Sequence, residues 1–251
     1  MSSADQRQPS TQPMQDRHSP RNSLVAPLWH TAVVVGVIVV ISALGTGRQH
    51  VISSSRARLA QYIFTLCWEW AMLAFCLWGT RKAGVSFRQL VGGRWQEIED
   101  VLVDLVTAFV FWVIAMIALS LMARALHLGD GSRLDDVRRQ LGFLVPRGTR
   151  EVILWVALSI TAGFCEEVVF RGYLQRQFGA LTGSSLVGIL ASALVFGMAH
   201  GYEGGRRMLL IGIFGVMFGL LAHFRRSLRP GMMAHAFHDT LTGLLLRFFL
   251  K

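Results

Sequence analysis

The feature that most constrains this chain is an uncharged apolar run from about Leu24 to Leu44, VAPLWHTAVVVGVIVVISAL, followed by six further apolar blocks. A helix needs about 20 apolar residues to cross the hydrocarbon core of a bilayer. Lipid offers no partner to backbone polar groups, so such a run spans as a helix even where its Val and Ile content would favour a strand in water. Pro27 stands near the start of the run, where a helix tolerates proline. The other blocks lie at about 62–78, 101–126, 151–177, 185–200, 207–224 and 232–249. Together they predict an all-α, polytopic membrane helix bundle of about seven transmembrane helices.

Composition agrees. Hydrophobic residues make up 53% and charged residues 16%, against roughly 45–50% and about 25% in soluble domains, which argues against an ordinary soluble enzyme. The net charge is +10, yet Lys82 and Lys251 are the only lysines and the arginines fall mainly between the blocks. That places them at headgroup level against anionic lipid, so the partners expected are membrane lipids and no nucleic acid. The basic residues divide nearly evenly between alternate connections, so they do not orient the bundle. Cys67, Cys76 and Cys165 all lie inside apolar blocks, which excludes a disulfide framework and a cysteine-rich zinc module.

Three regions follow. Residues 1–23 are Ser-, Gln- and Pro-rich and read as a disordered polar tail. Residues 24–150 hold N-terminal membrane helices and loops, the first expected to stay as an anchor rather than a cleaved leader. Residues 151–251 form a helical core. Between Arg81 and Asp100 a Gly-Gly break interrupts mixed apolar and charged residues, as in an interfacial segment. The loop from Gly129 to Arg150 carries Asp130, Asp135 and Asp136, but at spacings unlike an EF-hand. Glu69 is anomalous inside the second block. It reads as a functional group, as glue between helices or as an interfacial residue.

Chemistry concentrates in the last four blocks, where ionisable groups stand in apolar helices. In AGFCEEVVFRG, Glu167 precedes Arg171 by four residues, the favourable order for a helical ion pair. Glu166 points about 100° away and is left to face a cavity, suited to a general base; alternatively all three form one structural ion cluster. In LVFGMAHG, small residues let helices approach closely before His200. In PGMMAHAFHD, His235 and Asp239 share a helix face, and His238 is the rival to Asp239. No HExxH or GxSxG occurs. Cys165 as a thiol nucleophile is disfavoured because its helix position directs it away from Glu166.

Taken together, EExxxR at Glu166, Glu167 and Arg171, FxxxH at Phe196 and His200, and HxxxD at His235 and Asp239 resemble the three ordered motifs of the CAAX prenyl protease and bacteriocin-processing (CPBP, or Abi) family. This is the type II CAAX endopeptidase group of intramembrane proteases. The resemblance covers about Glu151 to Phe249. It implies a catalytic helical core in a multi-pass protein of the cell membrane, acting as an intramembrane endopeptidase on a membrane-associated protein or peptide. Glu166 with His200 would activate water, His235 with Asp239 would stabilise the oxyanion, and Glu167 and Arg171 would support the first motif. Many members carry Asn at the last position; an ionised Asp239 cannot donate to an oxyanion and would instead orient His235. As to cofactors, the resemblance is compatible with none or with one divalent metal such as zinc, held by Glu166, His200 and His235. The competing reading is a non-proteolytic membrane scaffold or bacteriocin-immunity protein.

Overall fold

The computed structural model describes residues 23–45, 54–125 and 142–249, and within them every regular element is helical. The expected tail, apart from Ser23, and the aspartate-bearing part of the 129–150 loop lie outside the described residues. The helices are α1 (Leu28–Gly45), α2 (Ser55–Lys82), the short α3 (Phe87–Val91), α4 (Ile98–Ala125), α5 (Thr149–Thr182), α6 (Ser185–Ala199), α7 (Gly205–Arg225) and α8 (Arg229–Phe249). All seven expected blocks are therefore helical. Five of them, α1, α2, α4, α5 and α7, are long and apolar enough to cross a membrane. The 15-residue α6 is shorter, and α8 carries His235, His238, Asp239 and Arg247 along its length.

Each outer helix turns its few polar groups inward and leaves aliphatic side chains to lipid. On α1 the buried face is His30, Thr31, Val34, Ile38 and Ser42, at near-fourfold spacing, while Val33, Val37 and Val40 are exposed. His30 Nε2 donates to the Phe75 carbonyl at 3.0 Å, and its Nδ1 lies 2.8 Å from the Tyr173 hydroxyl, which also meets Thr31 Oγ1 at 2.9 Å. This buried network ties α1 and α2 to α5. At the start of α2, Ser54 caps the helix through Ala57 N–H. Arg58 makes a two-pronged, buried ion pair with Glu151 at the start of α5, at 3.0 and 3.1 Å. Two positively charged-to-carboxylate hydrogen bonds in parallel fix both position and orientation.

The expected interfacial segment contains α3, which ends at Gly92 with φ +96°. A Cβ there would lie 2.2 Å from the Arg226 carbonyl oxygen, so the close passage of this turn against the α7–α8 link requires glycine. On α4, Asp104 is buried, accepts from Trp95 Nε1 at 2.8 Å and Arg225 at 3.2 Å, and pairs with Arg229 at 3.1 Å. This pins α4 to the same link.

The centre of the bundle is α5. Its middle, Glu167–Leu174, is π-helical and wholly buried. The Gln175 N–H reaches back five residues to the Phe170 carbonyl, which also accepts from Ser192 Oγ at 2.6 Å. π-segments of this kind are rare and concentrate at functional sites.

Candidate active site

Gly163 is where the site begins. A Cβ on it would fall 2.7 Å from Ala236 N and 2.8 Å from Met232 O, so only glycine lets α8 lie directly on α5. That contact brings the EExxxR residues of α5 beside the HxxxD residues of α8. Gly197 does the same for α6 and α7, where a Cβ would be 2.8 Å from Met208 O. Small residues allow helices to approach closely in lipid, where no hydrophobic drive pulls them together.

Five ionisable groups then interlock. Glu167 and Arg171, the pair expected from their spacing, are 2.9 Å apart with side chains 1% and 2% exposed, so their charges must compensate one another. Arg171 also donates to Gly215 O at 3.2 Å, and its guanidinium lies 4.3 Å over the Phe196 ring and 5.1 Å from that of Phe218. Glu167 reaches a second partner that the sequence did not announce: its Oε1 accepts from His235 Nδ1 at 3.1 Å. That bond sets the ring so that Nε2 points at the remaining carboxylates, 3.6 Å from Asp239 Oδ2 and 3.8 Å from Glu166 Oε2. Both distances exceed a direct hydrogen bond and suit a group placed between them. Glu166 Oε2 is buried and has no hydrogen-bond partner among the described residues.

Glu166, His200, His235, His238 and Asp239 all line one cavity of about 690 Å³ that runs between α1, α2, α5, α7 and α8. His200 closes α6 as its C-terminal cap, with Nδ1 donating to its own Phe196 carbonyl at 2.9 Å; its Nε2 is left for other partners. Phe196 thus has two jobs, shielding Arg171 and orienting His200. His238 is held aside, its Nδ1 accepting from Trp112 Nε1 at 3.3 Å and its ring packed on Phe214. Cys165 is buried in an apolar cluster with Leu73, Leu90, Val168 and Leu228.

Among the described residues, no group of three or more His, Cys, Asp and Glu side chains is disposed to hold a metal ion. Glu166, His200 and His235, the residues that would hold a zinc ion if one is bound, all line the cavity.

Two cavity residues lay outside the motif reading. Glu69 enters from α2 and lines the same cavity as Glu166; its signal in the sequence was a lone carboxylate in an apolar block. Tyr202 enters from the 3₁₀ turn Gly201–Glu203 that follows His200. Polar residues directly after an apolar span were its only signal.

Residues 148–241 match the family model described as type II CAAX prenyl endopeptidase Rce1-like. No curated protein and no solved structure matches.

Proposed function

From the similarity of residues 148–241 to the Rce1-like family model we propose that the chain hydrolyses a peptide bond of a membrane-associated substrate with water activated by Glu166. That similarity supports a CAAX-type intramembrane protease in general, and the five long apolar helices support a multi-pass membrane protein. The single observation that carries the finer reading is the convergence of Glu166, His200, His235 and Asp239 on one cavity inside an apolar bundle.

In the proposed reaction Glu166 takes a proton from water, and the resulting hydroxide adds to the substrate carbonyl carbon. His235 in its imidazolium form offers Nε2–H to the oxyanion so formed, while His200, whose Nδ1–H is given to the Phe196 carbonyl, helps position the attacking water by accepting at Nε2. Glu166 then passes its proton to the amide nitrogen as the carbon–nitrogen bond breaks. A carboxylate base in a water-poor site and donors arranged before the charge develops are what amide hydrolysis needs. Asp239 acts on His235 rather than on substrate, since an ionised carboxylate only accepts. Glu167 and Arg171 hold that ring from its other nitrogen. The bond from His235 Nδ1 to Glu167 leaves Nε2 facing the site, and the reaction is taken here in its metal-free form. We assign the protein to the cell membrane.

The test compares new peptide termini, by mass spectrometry, in membranes of cells expressing wild type or Glu166→Ala at equal levels. Termini present only with wild type identify a protease, its substrate and its scissile bond. Identical termini, with any phenotype kept by the variant, would replace this reading by that of a scaffold.

A further inference from the structure

The last carbonyls of α6 need partners, because no further turn of helix supplies them. The Phe196 carbonyl accepts from His200 Nδ1 at 2.9 Å and the Gly197 carbonyl from the His200 N–H at 3.0 Å. The Met198 carbonyl is reached from another helix: Ser42 Oγ, on α1, donates to it at 2.6 Å. A helical serine often bonds back to its own carbonyl four residues earlier, as Ser120 does to Met116 on α4 at 2.7 Å. Ser42 is buried and crosses to α6 instead. Helix α1 also meets the chain just after His200. A Cβ on Gly201 would lie 3.2 Å from Ser42 Oγ, and one on Gly45 would lie 3.6 Å from Tyr202 Cβ. The Tyr202 ring stands 6.0 Å from that of His200, at 31°. Ser42, His200 and Tyr202 all line the cavity.

The Nδ1 bond of His200 is internal to α6, so it sets the ring against its own helix and not against Glu166 on α5. Helix α1 supplies a link between the two. Its start is fixed to α5, where Tyr173 meets His30 and Thr31 and the buried Gln177 side chain bonds the backbone of Val25 and Ala26. About 18 Å along the axis, twelve residues at the helical rise, Ser42 holds the end of α6. In lipid no hydrophobic drive presses apolar helices together, so hydrogen bonds and close packing set their relative position. We propose that Ser42 is a positioning residue of the reaction centre: by holding the Met198 carbonyl it fixes the end of α6 and, with it, the place where His200 Nε2 meets the attacking water. Helix α1, outside the 148–241 segment that matches the family model, thereby completes the site. The inference rests on the proteolytic reading, in which His200 positions that water.

Wild type, Ser42→Ala, Ser42→Thr, Ser120→Ala and His200→Ala, each reconstituted in liposomes, are compared by cleavage of an internally quenched library of apolar peptides and by nitrogen NMR of protein labelled at histidine. The His200 ring signals are those lost in His200→Ala. Ser42→Ala is expected to lower kcat about three- to twentyfold, the scale of one hydrogen bond between helices in lipid, with KM unchanged, and to move the His200 ring signals. Ser42→Thr, which keeps the hydroxyl, restores both. Ser120→Ala removes an exposed hydroxyl bonded within its own helix and changes neither.

A Ser42→Ala kcat equal to wild type, or His200 signals unmoved in that variant, overturns the proposal. A change confined to KM also overturns it, by making Ser42 a contact of the substrate. So does a loss that Ser42→Thr fails to restore, which would reduce the contact to packing. Wild-type cleavage by His200→Ala breaks the proteolytic role of His200 instead, and the spectra still decide whether Ser42 places the ring.

Discussion

Helix α4 and the π-helical middle of α5 are both dominated by large apolar side chains in the sequence, yet they do opposite work. Along the whole of α4 only Asp104, Ala108 and Ala115 are buried, and Val106, Phe109 and Leu121 face outward. In Glu167–Leu174 every residue is buried. The lipid-facing surface asks only that a side chain be apolar, because hydrocarbon is an undemanding neighbour. The π segment asks for particular atoms: Glu167 for Arg171 and His235, the Phe170 carbonyl for Ser192, and the Tyr173 hydroxyl for His30 and Thr31. Tolerance of substitution should therefore fall steeply from one helix to the other.

The sharpest break is at the end of the π segment that faces the cavity. Glu166→Ala is expected to lower peptide-bond hydrolysis by about a hundredfold or more, the usual worth of a general base, while far-ultraviolet circular dichroism and detergent melting stay as in wild type. Retained turnover in that variant would remove Glu166 from the role of base.

Next in size, Glu167→Ala strands the buried Arg171 guanidinium. Removing one partner of a buried pair costs about 3–5 kcal/mol, so melting in detergent should drop sharply and activity with it. Arg171→Ala should match it. Unchanged melting of both variants would mean that the pair does not hold the segment.

Gly163→Ala comes third. The added methyl meets backbone on α8 rather than a flexible side chain, and overpacking costs about 1–3 kcal/mol. Because the displacement separates Glu167 from His235, hydrolysis should suffer more than stability. An equal loss of both would show that the contact is only packing.

A chelator sharpens the same comparison from another side. Extensive treatment with one that strips zinc is expected to leave wild-type turnover unchanged, with metal analysis far below one zinc per chain. Loss of activity restored by added zinc would assign Glu166, His200 and His235 to a metal after all. The smallest effect belongs to α4: Val106→Leu, on its lipid face, should alter melting by no more than about 0.5 kcal/mol.

How much of this was legible differs from element to element. The positions of all seven long helices could be read because each apolar block must close its own backbone hydrogen bonds in lipid, a demand local to the block. The Glu167–Arg171 pair was legible for the same reason, four residues on one helix being neighbours by geometry alone. The bond from His235 to Glu167 was not, since 68 residues separate them and no local rule joins α5 to α8. Nor was the π segment, where the Phe170 carbonyl also accepts from a hydroxyl supplied by α6. Glu69 could be flagged as an anomaly, but whether it met lipid, a neighbouring helix or the cavity depended on how α2 packs.

By itself, then, the sequence determined that this chain is a membrane bundle, which helices carry ionisable groups, and which three motifs are candidates for one site. The tertiary structure decided which of those groups meet. The physical reason lies in range: backbone satisfaction and i, i+4 pairing act within a helix, whereas the approach of α5 to α8 at Gly163, and with it the geometry of His235 between three carboxylates, comes from packing between helices distant in the chain.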